Sequence, residues 1–225
     1  TSAGGAIYSQ SGWSTSALVR MSNSIAAGNS AAGKGGFVYH HSGRGEYYNN
    51  TFADNHSSSY GGVFGACTIP EQLEVRNSVF RGNTAVDGTI GSRYMCNGNG
   101  PLIHVTDSYF STDPALSNFS WGSVTSENNI DCCEDQDPAD PDKPAGFIEF
   151  NVGAPGFSGD GSYHIDSASP LIDRGNAAYA PEDDIDENGR IVGLGGDGSP
   201  DMGADEYEAP ADSTTAGYVT AYASD

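Results

Sequence analysis

Alternating apolar and polar residues form short runs along the first half of the chain. Examples lie at 18–23, 73–77 and 103–107, where β-branched and other apolar residues alternate with polar ones. Alternation over four to six residues, bounded by Gly, Asn and Ser, is typical of short β-strands joined by tight turns. No segment keeps one apolar face at a 3.6-residue period over three turns. The pattern therefore predicts an all-β protein.

Each run leads into the same seven-residue phrase, with an amide or an acid at both ends. The phrase reads NSIAAGN at 23–29, NNTFADN at 49–55, NSVFRGN at 77–83 and DSYFSTD at 107–113, at spacings of 26, 28 and 30 residues. A Gly-Gly pair followed by apolar residues precedes it at 4–8, 35–39 and 61–64. A period of this length indicates stacked units that cannot bury a core alone.

The repeat predicts a right-handed single-stranded parallel β-helix, with one unit per turn and about 4.8 Å between turns. A β-sandwich or jelly roll is the alternative, but its strands have no reason to repeat a heptapeptide at fixed spacing. The line predicted to face the core is Ala26, Phe52, Phe80 and Phe110, beside a line of Ile25, Thr51, Val79 and Tyr109. A polar ladder of Asn29, Asn55, Asn83 and Asp113 is predicted at the corner, where Asn tolerates left-handed backbone geometry.

The repeats divide the chain into four parts. Regular coil is predicted for 1–113, an irregular acidic Cys-containing insertion for 114–145, the last coils and a C-terminal cap for 146–208, and a tail or linker for 209–225. Because the coil is already regular at Gly4, its first turn should expose an open parallel edge. We expect either more β-helix before residue 1 or another molecule on that edge, and the tail is a candidate exchanged strand.

Charge and cysteine content narrow the possible partners. The 9 basic and 30 acidic residues give a net charge of −21, which repels nucleic acid and anionic lipid. The sequence contains no run of 18 consecutive apolar residues, so no membrane-spanning segment is predicted. Cys67 and Cys96 lie 29 residues apart, close to the repeat length, which predicts a disulfide between adjacent turns in an oxidising compartment. Cys132 and Cys133 either pair elsewhere or stay reduced.

One acidic motif suggests a metal ion. Asp184, Asp186 and Asn188, followed by Gly189, match the opening D-x-D-x-N-G of a calcium loop, which presents oxygen ligands on alternate residues. Position 12 of that loop is Gly195 where a bidentate Glu is expected. Calcium is therefore the candidate cofactor, and the alternative is that these acids cap turns and pair with arginines. No residue is nominated as catalytic.

Two sets of motifs resemble known surface proteins. The Gly-Gly units and the segments at 52–55 and 80–83 resemble the repeats of polymorphic outer-membrane-protein β-helices. SPLIDRG at 169–175, DENGR at 186–190 and DMGADE at 201–206 are similar to the C-terminal module of secreted choice-of-anchor type Q β-helix proteins. This resemblance implies a surface or secreted location and a closing cap that contains Asp173, Arg174, Arg190, Asp201 and Glu206.

These features favour an extracellular structural or adhesive β-helix, the C-terminal part of a surface or fibrous protein and a candidate filament subunit. Its expected partners are further copies of itself or a cell-surface glycan or protein. The alternative is a polysaccharide lyase or glycoside hydrolase on the same scaffold. The shortage of basic residues argues against a lyase that acts on anionic polysaccharides.

Overall fold

The computed structural model describes residues 3–10, 17–67, 73–93, 103–110, 119–120, 124–131, 163–165, 167, 169, 171–190 and 199–207. Regular structure in these ranges consists of short β-strands. The strands are β1 (Ile7–Ser9), β2 (Leu18–Ala27), β3 (Ser30–Ala31), β4 (Val38–His40), β5 (Arg44–Ala53), β6 (His56–Ser57), β7 (Phe64–Ala66), β8 (Leu73–Arg76), β9 (Val79–Arg81), β10 (Gly91–Arg93), β11 (Ile103–Thr106), β12 (Tyr109–Phe110), β13 (Phe119–Ser120), β14 (Val124–Glu127) and β15 (Ile130–Asp131).

Each strand pairs in parallel with its copy in the next turn of the chain. One sheet has the order β1-β4-β7-β10-β13, and a second runs through β2, β5, β8, β11 and β14, with β9, β12 and β15 continuing from β5. A third, short sheet pairs β3 with β6. The chain is thus an all-β parallel solenoid, as predicted from the repeat.

The seven-residue phrases stack in the predicted register. Ala26 pairs with Phe52, Phe52 with Phe80, and Phe80 with Phe110. The rings of Phe52 and Phe80 stack at 5.1 Å, and those of Phe80 and Phe110 at 5.3 Å. All of these side chains lie in the main hydrophobic cluster, so the line predicted to face the core does so.

The Gly-Gly pairs mark the places where successive turns approach most closely. A Cβ atom on Gly36 would lie 2.0 Å from the carbonyl oxygen of Gly62, and one on Gly5 would lie 1.9 Å from that of Gly36. Backbone contact between stacked turns therefore leaves no room for a side chain at this position. This contact explains why the pair recurs once per turn.

The regular coil extends beyond the predicted boundary at residue 113. Strands β13, β14 and β15 lie within 114–145, and they pair in parallel with β10, β11 and β12. This region carries a further copy of the phrase that begins Asn128-Asn129-Ile130-Asp131, with Asp131 at the position of Phe in three of the other copies. The interpretation of 114–145 as wholly irregular is therefore wrong for these strands.

The first turn leaves one end of the core open. Ile7 and Met21 are only partly buried, whereas Val38 and Tyr47, their partners one turn down, are fully buried. The ten-residue strand β2 pairs with β5 on one side and with no described strand on the other. The predicted open edge is thus present in the part of the chain that the structure describes.

Of the four cysteines, Cys67 lies within the described residues. Cys67 follows β7, is buried, and its amide N donates to the carbonyl oxygen of His40 at 3.0 Å. Cys96, Cys132 and Cys133 lie outside the described residues. The pairing of Cys67 with Cys96 remains a prediction.

A buried histidine should make stability depend on pH. His40 is 2% exposed, and its Nε2 atom lies 2.6 Å from the Tyr47 hydroxyl. Burial lowers the pKa of His40 from 6.5 to about 4. The unfolded chain therefore takes up a proton at this residue as the pH falls below 6.5, while the folded chain does not.

We expect this difference to remove about 3 kcal/mol of unfolding free energy between pH 6.5 and pH 4, a loss absent from a His40→Gln variant. Denaturant titrations of both proteins across this pH range measure the unfolding free energy of each. Subtracting the value for the variant from that for the wild type removes the contributions of other titrating groups. His56→Gln, at an exposed histidine, is the control and should follow the wild type. Parallel pH profiles for the wild type and His40→Gln would contradict the prediction.

Candidate functional site

A second layer of chain packs along one side of the solenoid. We call residues 163–165, 171–190 and 199–207 the docked module. Its Ile165, Leu171 and Met202 form a hydrophobic cluster with Val79 and Tyr109, which belong to the second line of the stacked phrases. The module was expected to finish the coil, but its described residues instead cover a lateral face.

The module sits against a row of residues with left-handed backbone geometry. This row, the corner residues, is formed by the first residue of each phrase: Asn23, Asn49, Asn77, Asp107 and Asn128, with φ of 45°, 51°, 48°, 51° and 53°. Asn and Asp tolerate this geometry better than other residues with side chains. The side chains of the first four project toward the module, whereas Asn128 is exposed.

Hydrogen bonds from the corner residues fix the module across successive turns. Asn49 Nδ2 donates to the carbonyl oxygen of Asp201 at 3.3 Å. Asn77 makes two bonds to Asn176: its Nδ2 donates to the carbonyl oxygen at 2.9 Å, and its Oδ1 accepts from the amide N at 2.8 Å. The Nδ2 of Asn176 also reaches the carboxylate of Asp107 at 3.4 Å. The module therefore ties three neighbouring turns together.

The first turn is held by an arginine. Arg190 is 6% exposed, and its Nη2 donates to Asn23 Oδ1 at 3.1 Å and to the carbonyl oxygens of Gly203 and Ala204 at 2.9 and 3.0 Å. Its Nη1 forms an ion pair with Glu206 Oε2 at 3.0 Å. Burial raises the pKa of Glu206 and lowers that of Arg190, because each charge loses hydration.

Four of the five residues assigned to the cap converge on this point. Asp201 accepts hydrogen bonds from the amides of Asp173 at 2.6 Å and Tyr207 at 2.7 Å, and its own amide donates to Glu206 at 2.9 Å. Arg174, in contrast, is exposed. The cap residues thus hold the module together and attach it to the solenoid.

The phrase-ending asparagines form a separate ladder on the opposite corner. Asn55 Oδ1 accepts from the amide N and the Nδ2 of Asn29 at 3.1 and 2.9 Å, and Asn83 Oδ1 accepts from the same groups of Asn55 at 3.0 Å each. The left-handed residues here are those just before, namely Gly28, Asp54 and Gly82. Asp113 lies outside the described residues.

A further ladder of buried side chains, which the sequence analysis does not predict, lies inside the coil. The second residue of each phrase points inward, and Asn50, Ser78 and Ser108 each accept a hydrogen bond from the main-chain N–H one turn above, at 3.2, 3.2 and 3.1 Å. All three are fully buried. Its signal was present in the sequence, because this position is Ser or Asn in every copy.

The residues of the predicted calcium loop differ in burial. Asp184 is buried, and its Oδ1 accepts from the amides of Asp186 and Asn188 at 2.9 Å each, while Oδ2 accepts from the amide of Glu206 at 3.3 Å. It thus serves as the centre of a tight turn. Asp186 and Asn188 are exposed. Calcium binding by these three residues remains a prediction.

Asp186 does belong to one group that could hold a metal ion. His164, Asp186 and Asp205 each present a ligand atom, and these atoms lie within 4.8 Å of one another. Asp205 is 6% exposed, and burial raises its pKa to about 6. His164 and Asp205 were not singled out from the sequence, because they are 41 residues apart and match no ligand motif.

Other carboxylates on the solenoid face serve ion pairs and hydrogen bonds. Glu46 lies 2.7 Å from Arg20 and 3.1 Å from Arg44, and Glu74 accepts from the Tyr48 hydroxyl at 2.9 Å. Among the aromatic residues of the solenoid, Tyr8 is exposed, and its ring lies 5.6 Å from that of the buried Tyr39.

No family model, curated protein or solved structure matches this chain. A search of the described residues for a helix long and apolar enough to cross a membrane finds none.

The contacts of Arg190 predict how its substitution changes the stability of the docked module. Arg190→Met should cost about 3–5 kcal/mol of module stability, because it leaves Glu206 buried without its ion-pair partner. We expect the module amides of Ile185 and Met202 to lose protection from hydrogen exchange, while strand amides on the far side of the solenoid keep theirs. Arg174→Met, which removes an exposed arginine from the same module, should change neither. Equal effects of the two substitutions would contradict the assignment.

Proposed function

We propose that this chain is an extracellular structural and adhesive β-solenoid, the C-terminal part of a surface or fibrous protein, and that the edge of its first described turn is covered either by preceding coil of that protein or, in a filament subunit, by a second copy joined end to end. The observation that carries this proposal is the open end of the solenoid. There β2 offers ten residues of parallel edge, with Leu18 45% exposed and the core end only partly covered.

Both ends of the described stack have geometry suited to this joint. The last described strands, β13, β14 and β15, each pair on one side only within the described chain, like β1 and β2 at the other end. Pairing β2 of one copy with β14 of the next would continue the same parallel ladder. Such a contact is heterologous, and it extends into a filament unless it closes into a ring.

The side walls of the solenoid suit a stiff structural element. Ladders of Asn and Ser side chains and a line of Phe rings run along the stacked turns. The docked module contacts several turns along one face. Stacked hydrogen bonds of this kind resist bending because each turn is bonded directly to the next. A rod of this type can present many equivalent surface groups to a partner.

The extracellular and adhesive parts of the proposal rest on sequence features. The resemblance to polymorphic outer-membrane-protein repeats and to the choice-of-anchor type Q module supports a surface location. The net charge of −21 favours partners other than nucleic acid. A cell-surface glycan or protein is therefore the expected adhesive partner, and a carbohydrate-active enzyme is the competing proposal.

Substitution at the open end tests the assembly directly. Met21→Lys places a charge at the uncovered end of the core, where a joining copy would have to bury it, and it should abolish end-to-end association. Electron microscopy and light scattering of concentrated protein should show filaments or oligomers for the wild type and isolated short rods for the variant. Val86→Lys, at a residue 84% exposed, adds the same charge elsewhere and should assemble normally.

Isolated rods for the wild type at its highest soluble concentration would contradict the proposed assembly. Equal assembly by Met21→Lys and the wild type would contradict the assignment of the joint to this end. Depolymerisation of a polysaccharide by the purified protein would favour the enzyme instead.

A further inference from the structure

The group formed by His164, Asp186 and Asp205 brings together three segments of the docked module that are distant in sequence. His164 Nε2 lies 3.0 Å from Asp186 Oδ2, and Asp205 completes a triangle of ligand atoms within 4.8 Å. The three residues come from the segments 163–165, 171–190 and 199–207. An ion bound here would therefore link all of them.

Main-chain hydrogen bonds hold each candidate ligand in position. The amide of Ile165, next to His164, donates to Asp205 Oδ2 at 2.7 Å. The amide of Ile185, next to Asp186, donates to the carbonyl oxygen of Ala204 at 2.9 Å. A binding ion would thus find its ligands largely in place, which reduces the entropy lost on binding.

The buried aspartate provides the second, independent indication of a ligand. Asp205 is 94% buried, yet only its Oδ2 accepts a hydrogen bond from the described residues. A buried carboxylate normally has its oxygens hydrogen-bonded, ion-paired or bound to metal. The remaining oxygen of Asp205 is available to an ion between it and His164.

We propose that His164, Asp186 and Asp205 bind a divalent transition ion of the zinc type, and that this ion fastens the docked module. One imidazole nitrogen and two carboxylates suit Zn²⁺, which takes four ligands of mixed N and O type and fills the remaining position with water. Two bonds of about 2.1 Å at a tetrahedral angle separate their ligand atoms by about 3.4 Å, close to the His164–Asp186 spacing. Calcium fits less well, because it prefers six to eight oxygen ligands.

This inference stands apart from the proposed function, since the site lies within one molecule and on the module rather than at the open end. It also differs from the predicted calcium loop, with which it shares only Asp186. Bound metal should stabilise the folded module and leave the solenoid ladders unchanged.

The test uses chelator-treated full-length chain without a polyhistidine tag. Adding ZnCl₂ to a free concentration about a hundredfold above Kd should raise the Tm of the wild type by about 5–10 °C, and calorimetry should give one ion per chain. His164→Gln and Asp186→Asn change partly exposed side chains and should fold, but they should lose this response. His56→Gln, which removes an exposed histidine of the solenoid, should keep it.

Co²⁺ substitution adds a direct readout, since a nitrogen- and oxygen-bound ion in a four-coordinate site gives visible absorption that His164→Gln should lack. No Zn²⁺ response in the wild type, or an equal response in all four proteins, would overturn the proposal. A response to CaCl₂ alone would overturn it as well and would favour the loop of Asp184, Asp186 and Asn188.

Discussion

The whole structure depends on the corner at which each seven-residue phrase begins. At each such corner one residue adopts left-handed backbone geometry, and in every described copy it is Asn or Asp. The turn directs the next residues inward, where a buried Ser or Asn bonds the main chain of the adjacent turn and Phe rings stack along the axis. The same corner sends an amide or carboxylate outward. Local backbone geometry thus sets both the core and the outer face.

The outward amides explain why a segment 99 to 152 residues further along the chain packs against the coil. Asn49 and Asn77 bond groups of Asp201 and Asn176, which lie 152 and 99 residues further along the chain. Buried main-chain groups of the module need partners, and the corner residues supply them at a fixed interval. Arg190 completes the attachment at the first turn, where its guanidinium donates to Asn23 Oδ1 while Asn23 Nδ2 donates to the carbonyl oxygen of Asp183.

The sequence predicts the parts of this arrangement that repeat, and not those that occur once. The Phe52–Phe80–Phe110 stack follows from alternation and constant spacing, because register in a parallel coil leaves only one way to superpose the phrases. The last described turn was missed because its phrase carries the charged Asp131 at the position that is apolar in the other copies. The lateral docking of the module, and the grouping of His164 with Asp205, depend on long-range contacts that no local pattern encodes.

The central claim is that the outward side chain of a corner residue, beyond its backbone geometry, holds the module. Asn77→Gly tests the side chain separately from the backbone geometry, because Gly keeps the left-handed turn. The substitution removes two hydrogen bonds of the Asn77 amide to Asn176 and one to Asn49. Hydrogen exchange should show module amides opening about 2–4 kcal/mol more easily in this variant. Asn128→Gly, at an exposed corner residue, should leave them unchanged. Full protection of the module in Asn77→Gly would contradict the account.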